Sequence, residues 1–409
     1  MYNSTSRFLL FTYCEHCFTH LASSTLIGGS LKSPLYTAQA ISALYPNFAC
    51  VVISRSNAAL RCNYPHWIET SIRVSGLARG VVFPYILALY SIRLLIKELW
   101  LHQSIIIQCH HPLLALLPAL VKYLLPSRIF LSIKAHGTSL PEHKSVRKSY
   151  GLLKRIYYDI HHEIQFKLEK FVIKKADLCF VSSFYQMTEQ IKLYTASSDR
   201  IRVIRNASFR FSDNHANVNK RNRESSCLTI GFVARSSFKK NLLYFLETAN
   251  KLSELDVNIK YIVVYSSERP NLSIDINSII EHRFLNLSPE NISVYSNVSD
   301  SDLSSLLLKC DFGMVPSLNY ESIPSIIYEF MAHDVVVYAS YKWGIPEILH
   351  PHFALSLDLE SDIRTIMRDI ATARTNISIL LDMQKSFYQA KDYESCANEY
   401  LSIYTGLLQ

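Results

Sequence analysis

Short apolar runs alternate with longer segments in which apolar residues recur every three or four positions, and the alternation occurs in two series. The short runs predict strands, and the longer periodic segments predict helices. Strands that alternate with helices indicate a parallel, doubly wound sheet. In the first series the predicted strands are 7–13, 48–54, 104–109, 129–135, 178–182 and 202–205, and the predicted helices are 34–44, 82–101, 112–125, 146–175 and 185–194.

The second series predicts a second sheet of the same kind. Because ligands bind at the carboxyl ends of the strands in such sheets, the expected fold class is α/β, with two Rossmann-like domains facing a cleft. The predicted strands are 228–234, 259–265, 292–295, 313–316 and 335–339. The predicted helices are 242–255, 302–309, an apolar helix that has Pro324 in its first turn and runs to His333 and Asp334, 345–349 and a helical tail from 366.

The predicted domain boundaries follow from composition and length. A chain of 409 residues fits two domains of about 200 residues each. Residues 1–207 form the predicted N-terminal domain, and 208–226, rich in Asn, Ser and charged residues, is the predicted linker. The C-terminal domain is expected over 227–385, with a final helix in 386–409 that packs back onto the first domain.

One helix start in the second series has the residues of an anion site. Glu321 and Glu329 stand eight residues apart, with Ser322 as the predicted cap and Pro324 in the predicted first turn between them. The N–H groups and the positive dipole end of a helix start favour a phosphate. A nucleotide sugar, with phosphate between two hydroxyl-bearing sugars, has the layout that these features would bind.

Two cations follow the first strand of this series. Arg235 and Lys240 are placed to clamp a diphosphate. There they could stabilise the charge that builds on a leaving group without a metal ion. The alternative is a solvated basic loop.

The order of these motifs resembles a known family, the retaining GT-B glycosyltransferases of glycosyltransferase family 4 (glycosyl transferases group 1). The resemblance covers nearly the whole chain, from residue 10 to about 357. Its motifs in the second half are Arg235 with Lys240, Pro316-Ser317, Glu321 with Glu329, and Gly344-Ile345-Pro346-Glu347. In the first half they are His136-Gly137, Ala176-Asp177, Val181-Ser182-Ser183 and the segment from Arg200 to Asn206.

The resemblance implies a metal-independent hexosyltransferase with a role for each motif residue. The first domain would bind the acceptor and the second the nucleotide sugar. Arg235 and Lys240 would hold the donor diphosphate, Glu329 the ribose, and His136 would lie near the anomeric centre of the sugar. The catalytic residues would then be His136, Glu321, Arg235 and Lys240. The donor would be held by Arg235, Lys240, Glu321 with the following Ser322, Ile323, Pro324 and Ser325, Glu329, and the turn at Gly28 and Gly29.

The sequence also departs from the family pattern. Ser322-Ile323-Pro324 replaces the Gly-Phe-Gly that follows the first glutamate, and Ala234 and Asn241 stand where the family has glycines beside Arg235 and Lys240. The sugar contacts at these positions therefore differ from those of the family pattern. The alternatives are a nucleotide-sugar epimerase of the same fold and a non-catalytic nucleotide-sugar-binding subunit.

Charge and composition indicate where the protein acts. Residues 1–225 contain 28 Lys and Arg against 12 Asp and Glu, a net charge of +16, and the basic segment 144–175 interleaves cations with apolar residues. A basic amphipathic helix favours an anionic membrane surface, and the alternative is a solvated helix face. We therefore expect a peripheral protein on the cytoplasmic membrane face, with a lipid-pyrophosphate-linked glycan acceptor in surface polysaccharide (lipopolysaccharide or capsule) biosynthesis. No nucleic-acid-binding motif is present.

Cysteines and possible metal ligands complete the sequence-based expectations. Nine scattered cysteines favour free thiols in a reducing, cytoplasmic compartment. Cys14-Glu15-His16-Cys17 lacks a second ligand pair, and Asp300 with Asp302 is better explained by a helix start, so no metal or other cofactor is expected. His110 and His111 follow a strand and are an optional acceptor contact.

Overall fold

The structure is a computed structural model of the 409-residue chain. It describes residues 7–14, 37, 41, 48–54, 67–71, 95–102, 104–110, 112–135, 151–207, 227–235, 238–255, 258–266, 275–318 and 320–408. These residues form two compact units. The first unit contains the described residues before 207 together with those after 392, and the second contains the described residues from 207 to 392.

A parallel sheet of seven strands forms the centre of the first unit, in the order β3-β2-β1-β4-β5-β6-β7. Its central strands are apolar and buried because helices cover both faces of a doubly wound sheet. The strands are β1 (Arg7–Cys14), β2 (Phe48–Ser54), β3 (Trp67–Ser71), β4 (Ile105–Cys109), β5 (Ile129–Lys134), β6 (Leu178–Val181) and β7 (Ile201–Val203).

The described helices of the first unit connect these strands or follow the second unit. Ser183 begins one of them by accepting a hydrogen bond from the amide of Gln186. The helices are α1 (95–101), α2 (Leu116–Leu124), α3 (Leu152–Lys175), α4 (Phe184–Tyr194) and, at the far end of the chain, α11 (Tyr393–Leu408).

The second unit is built around a six-stranded parallel sheet in the order β10-β9-β8-β11-β12-β13. Its strands are β8 (Leu228–Arg235), β9 (Ile259–Ser266), β10 (Ile292–Ser296), β11 (Phe312–Val315), β12 (Val336–Ser340) and β13 (Ala354–Leu355). Its helices are α5 (Leu242–Leu255), α6 (Ile276–Arg283), α7 (Asp300–Leu307), α8 (Ser325–Ala332), α9 (Leu359–Asn376) and α10 (Ser378–Phe387).

Helix α11 is separated from the other elements of the first unit by the whole second unit in sequence. The ring of Tyr404 packs edge-on against Phe8, and the ring of Tyr400 packs edge-on against Phe180. Burial beside this helix lowers the pKa of Lys134 to about 8. The end of the chain is therefore part of the core of the first unit.

Three elements were not predicted from the sequence: β3, α6 and β13. Helix α9 also begins at Leu359, seven residues before the predicted helical tail. The cysteines whose side chains the structure describes are free thiols, at positions 109, 179, 227, 310 and 396. Among the described helices, none is both long enough and apolar enough to cross a membrane.

Candidate functional site

The carboxyl ends of β8 and β11 mark the point where the strand order of the second sheet reverses. From β8 the chain continues to β9 on one side, whereas β11 continues to β12 on the other. Loops that leave in opposite directions open a crevice between them, and ligands of doubly wound proteins bind there. Arg235 is the last residue of β8, and Pro316 directly follows β11.

Two loops meet at this edge of the sheet. The amide of Leu318 donates a hydrogen bond to the carbonyl oxygen of Lys239 over 2.9 Å. The ammonium group of Lys240 forms an ion pair with the carboxylate of Glu321, and the hydroxyl of Ser317 donates to the same carboxylate over 3.3 Å. The two predicted donor-binding residues, 81 positions apart in the sequence, are therefore in direct contact.

Both charged side chains of this pair are partly exposed. The side chain of Lys240 is 24% exposed and that of Glu321 is 13% exposed. Partial burial strengthens their attraction relative to a pair in water, while the exposed part leaves the cation accessible to an anionic ligand. The pair can thus hold both loops in place and still exchange one partner for a phosphate.

Helix α8 starts later than the sequence predicted. Pro324, with φ −62° and ψ 128°, is the N-cap, the helix begins at Ser325, and none of the described side chains caps it. The prediction that Ser322 caps the helix is wrong, because Ser322 is buried in the loop two residues before the cap. The amide of Ile327 donates to the carbonyl oxygen of Pro324 over 3.1 Å, and the amides of Ser325 and Ile326 and the dipole end of α8 favour an anion.

Glu329 lies on α8, about one turn after the start of the helix, and is half-buried. The end of the same helix is fixed by His333. One ring nitrogen of His333 lies 2.7 Å from the carbonyl oxygen of Glu329, and the other lies 2.7 Å from the hydroxyl of Ser304 on α7. Helix α8 is therefore held at both ends, by a proline at its start and a histidine bridge at its end.

Close packing against glycines fixes the distance between α8 and the sheet. The ring of Phe330 lies over Gly313 of β11, where a Cβ atom would come within 2.7 Å of the ring. A Cβ atom on Gly231 of β8 would come within 2.6 Å of the sulfur of Cys310 and 3.3 Å of Phe330. A side chain at Gly313 would push the ring and the helix that carries it away from the sheet.

The sequence did not predict that two aromatic residues beside this site are in contact. The rings of Tyr320 and Trp343 pack edge to face with centroids 6.4 Å apart, directly before Glu321 and Gly344 respectively. Trp343 has a φ of 59°, which is rare for a bulky residue. The only sequence signal was an aromatic residue beside each motif, and spacing alone did not indicate that the two are in contact.

The structure brings most of the predicted donor site together at one edge of the second sheet. The described residues of that set are Lys240, Glu321, Ser322, Ile323, Pro324, Ser325 and Glu329, and the backbone of Arg235 belongs to the same edge. His136, Gly28 and Gly29 lie outside the described residues.

The predictions about metal ligands concern other parts of the chain. Within the described ranges, no group of three or more His, Cys, Asp or Glu side chains is arranged to hold a metal ion. Asp300 and Asp302 lie in the first turn of α7, where the side chain of Ser299 caps the helix by accepting from the amide of Asp302. His16 and Cys17 lie outside the described residues.

The sequence of the second unit matches a known family. Residues 227–368 match the family model of the glycosyl transferases group 1. This segment contains Lys240, Glu321 and Glu329 and both strands at the reversal point of the sheet. A search among curated proteins finds no match to the chain.

Solved structures match the whole chain at low sequence identity. HepE of Anabaena, in complex with UDP-glucose, is 13% identical with a TM-score of 0.67, covering 98% of this chain and 99% of that one. Sucrose-phosphate synthase of Thermosynechococcus elongatus is 16% identical with a TM-score of 0.66 and coverage of 98% and 99%. The trehalose 6-phosphate synthase of Burkholderia multivorans is 12% identical with a TM-score of 0.66, covering 99% of each chain.

The predicted GT-B fold is confirmed by these likenesses and by the two parallel sheets. The match of residues 227–368 to the glycosyl transferases group 1 supports a glycosyltransferase.

Proposed function

We propose that the protein is a retaining, metal-independent glycosyltransferase of family 4 that moves a hexose from a nucleotide diphosphate sugar to a glycan acceptor. The contact between Lys240 and Glu321 at the reversal point of the second sheet carries this proposal. It places a cation and a carboxylate beside the uncapped start of α8. A diphosphate with a sugar attached needs this combination of charge and hydrogen-bond acceptors.

Each group has a distinct role in the proposed reaction. When the bond between the anomeric carbon and the phosphate oxygen breaks, negative charge grows on the departing nucleoside diphosphate. Lys240, with Arg235 and the first turn of α8, would stabilise that charge as fixed positive groups, without a metal ion. Glu321, released from Lys240 by the incoming phosphate, would accept hydrogen bonds from the hydroxyls of the transferred sugar.

Glu329 and His136 complete the proposed site. Glu329 would accept hydrogen bonds from the ribose hydroxyls, since it lies one turn beyond the helix start that holds the phosphate. His136 would contact the sugar near its anomeric centre, and the Gly28-Gly29 turn would approach the phosphates. The donor we propose is a UDP-hexose, a class supported by the UDP-glucose complex of the similar HepE.

A panel of nucleotide sugars tests the donor site directly. We expect UDP and UDP-hexoses to raise the melting temperature of the protein, and transfer from the stabilising donor to continue in excess EDTA. Loss of transfer with EDTA would contradict metal independence. Conversion of the donor sugar without an acceptor would indicate an epimerase, and tight binding without turnover would indicate a binding subunit. No shift with any nucleotide would overturn the proposal.

We further propose that the first unit binds the cytoplasmic face of an anionic membrane, where a lipid-linked glycan acceptor for surface polysaccharide synthesis would be found. Helix α3 carries Leu152, Ile156, Ile160 and Ile164 four residues apart, and each is at least half exposed. Exposed basic residues share the helix, among them Lys167. Apolar side chains flanked by cations on a helix favour insertion at an anionic interface.

Vesicle sedimentation tests the membrane proposal. We expect the protein to co-sediment with vesicles containing phosphatidylglycerol at low salt, and replacement of the four apolar residues by glutamine to reduce bound protein about tenfold. The matched control is Leu285→Gln, which removes a 92% exposed leucine of the second unit and should leave binding unchanged. Equal binding of the fourfold variant and the wild type would contradict docking through α3.

A further inference from the structure

A path of buried polar side chains crosses the sheet of the first unit. Gln108 on β4 and Ser132 on β5 are fully buried, His110 directly after β4 is 5% exposed, and Tyr404 of α11 is 3% exposed. Their neighbours in these strands are almost all apolar. Buried polar groups of this kind are costly unless each finds a partner.

The partners are found within the path. The hydroxyl of Tyr404 donates to the amide oxygen of Gln108 over 2.9 Å, across 296 residues of sequence. The amide nitrogen of Gln108 lies 2.9 Å from Nε2 of His110. Because the Tyr404 proton goes to Gln108, Ser132 is the donor in its contact with the Tyr404 hydroxyl, and the Ser132 oxygen also lies 3.2 Å from the carbonyl oxygen of Ile107. Burial raises the pKa of Tyr404, which keeps the hydroxyl protonated as a donor.

The order of donors along this path determines the protonation of the imidazole. The side-chain oxygen of Gln108 can only accept, and it faces the hydroxyl of Tyr404. The side-chain nitrogen of Gln108 therefore faces His110. Because that nitrogen only donates, Nε2 of His110 must accept, and the ring proton lies on Nδ1. His110 is thereby a neutral imidazole whose tautomer is set by a helix at the end of the chain.

His110 lies where the first sheet can bind a ligand. The strand order of this sheet reverses between β1 and β4, and His110 is the first residue after β4. The carboxyl ends of the strands at such a reversal form the ligand-binding edge. This position corresponds to that of the donor site in the second sheet.

Helix α11 would pack on the sheet without the polar path. Ring contacts of Tyr404 with Phe8 and Phe130, and of Tyr400 with Phe180, already pack the helix on the sheet. An apolar residue in place of Gln108 would cover the same surface without a buried amide. The path therefore specifies the orientation of one imidazole at the ligand-binding edge.

We propose that His110 is an acceptor-binding residue, and that Gln108 and Tyr404 are positioning residues that hold its neutral imidazole toward an acceptor hydroxyl. This inference rests on the proposed function, because it assigns the acceptor side of the same transfer reaction. The ligand class is a sugar hydroxyl group, for which a neutral imidazole is a suitable hydrogen-bond partner.

Transfer kinetics test the proposal with UDP-glucose as donor and p-nitrophenyl hexosides as acceptors. We expect His110→Asn to raise the acceptor KM about tenfold, the equivalent of one hydrogen bond, and Tyr404→Phe to raise it about fivefold, while the donor KM stays within about twofold. The matched control is Tyr400→Phe, which deletes the same hydroxyl one turn earlier on α11, outside the path, and should leave both constants unchanged.

A double variant separates positioning from general loss of packing. If Tyr404 acts through His110, adding Tyr404→Phe to His110→Asn has no further effect on the acceptor KM. Additive effects, or an unchanged acceptor KM in both single variants, would overturn the proposal. Failure of the wild type to bind UDP or to transfer glucose would instead count against the proposed function.

A spectroscopic measurement tests the path without any turnover. In a protein with 15N-labelled histidine, the ring signals of His110, identified by their loss in His110→Asn, are expected to report the Nδ1–H tautomer. Tyr404→Phe should shift these signals, and Tyr400→Phe should not. An Nε2–H tautomer in the wild type, or His110 ring signals that Tyr404→Phe leaves unshifted, would overturn the positioning role whatever the kinetics show.

Discussion

Replacing Lys240 by alanine is expected to lower kcat/KM for UDP-hexose transfer about 10²–10³-fold, the usual effect of removing one fixed group that stabilises transition-state charge. The ammonium group lies at the reversal point of the second sheet, and the Lys240 side chain is already 24% exposed when paired with Glu321. In the reaction it would exchange this carboxylate for the diphosphate, whose charge increases as the sugar departs. Steady-state transfer assays measure the loss.

The neighbouring lysine provides a matched control for Lys240. Lys239 belongs to the same short 3-10 turn, and its backbone carbonyl, which an alanine retains, accepts the hydrogen bond from Leu318. We expect Lys239→Ala to change kcat/KM by less than about threefold, the scale of a screened surface charge. Equal losses in the two variants would indicate a general effect of basic charge, and full activity in Lys240→Ala would contradict the assigned role.

Replacing Asp362 by alanine is expected to cost about 3 kcal/mol of the free energy of unfolding of the second unit, because it removes a buried carboxylate that pairs the buried hydroxyl of Tyr244 and three partly buried donors. One carboxylate oxygen accepts from the amide and hydroxyl of Ser356, over 2.9 and 2.7 Å. The other accepts from the amide of Leu357 over 3.0 Å and the hydroxyl of Tyr244 over 2.6 Å. Urea unfolding followed by tryptophan fluorescence and circular dichroism measures the change.

Asp358, the exposed N-cap of the helix α9 that contains Asp362, serves as the control. Asp358 accepts from the amides of Glu360 and Ser361 at the start of α9, in contact with solvent. Asp358→Ala is expected to cost about 1 kcal/mol, as N-cap substitutions do. A loss at Asp362 no larger than the loss at Asp358 would contradict the view that burial of the Asp362 carboxylate makes its four hydrogen bonds important. The pKa of Tyr244 is raised chiefly by burial, so its hydroxyl stays a donor in this comparison.

Hydrophobic periodicity predicted the central strands and the edge strands β7 and β10, but it missed the edge strands β3 and β13. Central strands such as β4 and β12 are buried on both faces, so their sequences are continuous apolar runs. The edge strand β3 reads Trp-Ile-Glu-Thr-Ser, and β13 has only two residues. Such strands are recognised only when a neighbouring strand pairs with them, which a local pattern does not report.

The contact between Lys240 and Glu321 at the proposed donor site was predicted better than the local geometry around it. Motif order correctly indicated that Lys240 and Glu321 belong together, and their contact follows from the adjacency of β8 and β11. The cap was predicted wrongly because Ser322 has a favourable residue type, whereas the fixed φ of Pro324 ends the extended loop and Ser325 begins the helix. Residue type indicates which side chain could cap a helix, but burial decides where that side chain lies.

The sequence by itself determined the alternation of strands and helices, the two-sheet fold class and the order of the donor motifs. These depend on spacings of a few residues, where side-chain periodicity and turn chemistry act locally. Only the tertiary structure decided that Trp343 lies against Tyr320, and that Tyr404 reaches Gln108 across 296 residues. Contacts between residues so far apart in sequence depend on the order of the strands in each sheet. They also depend on which buried polar groups must find a hydrogen-bond partner when water is excluded.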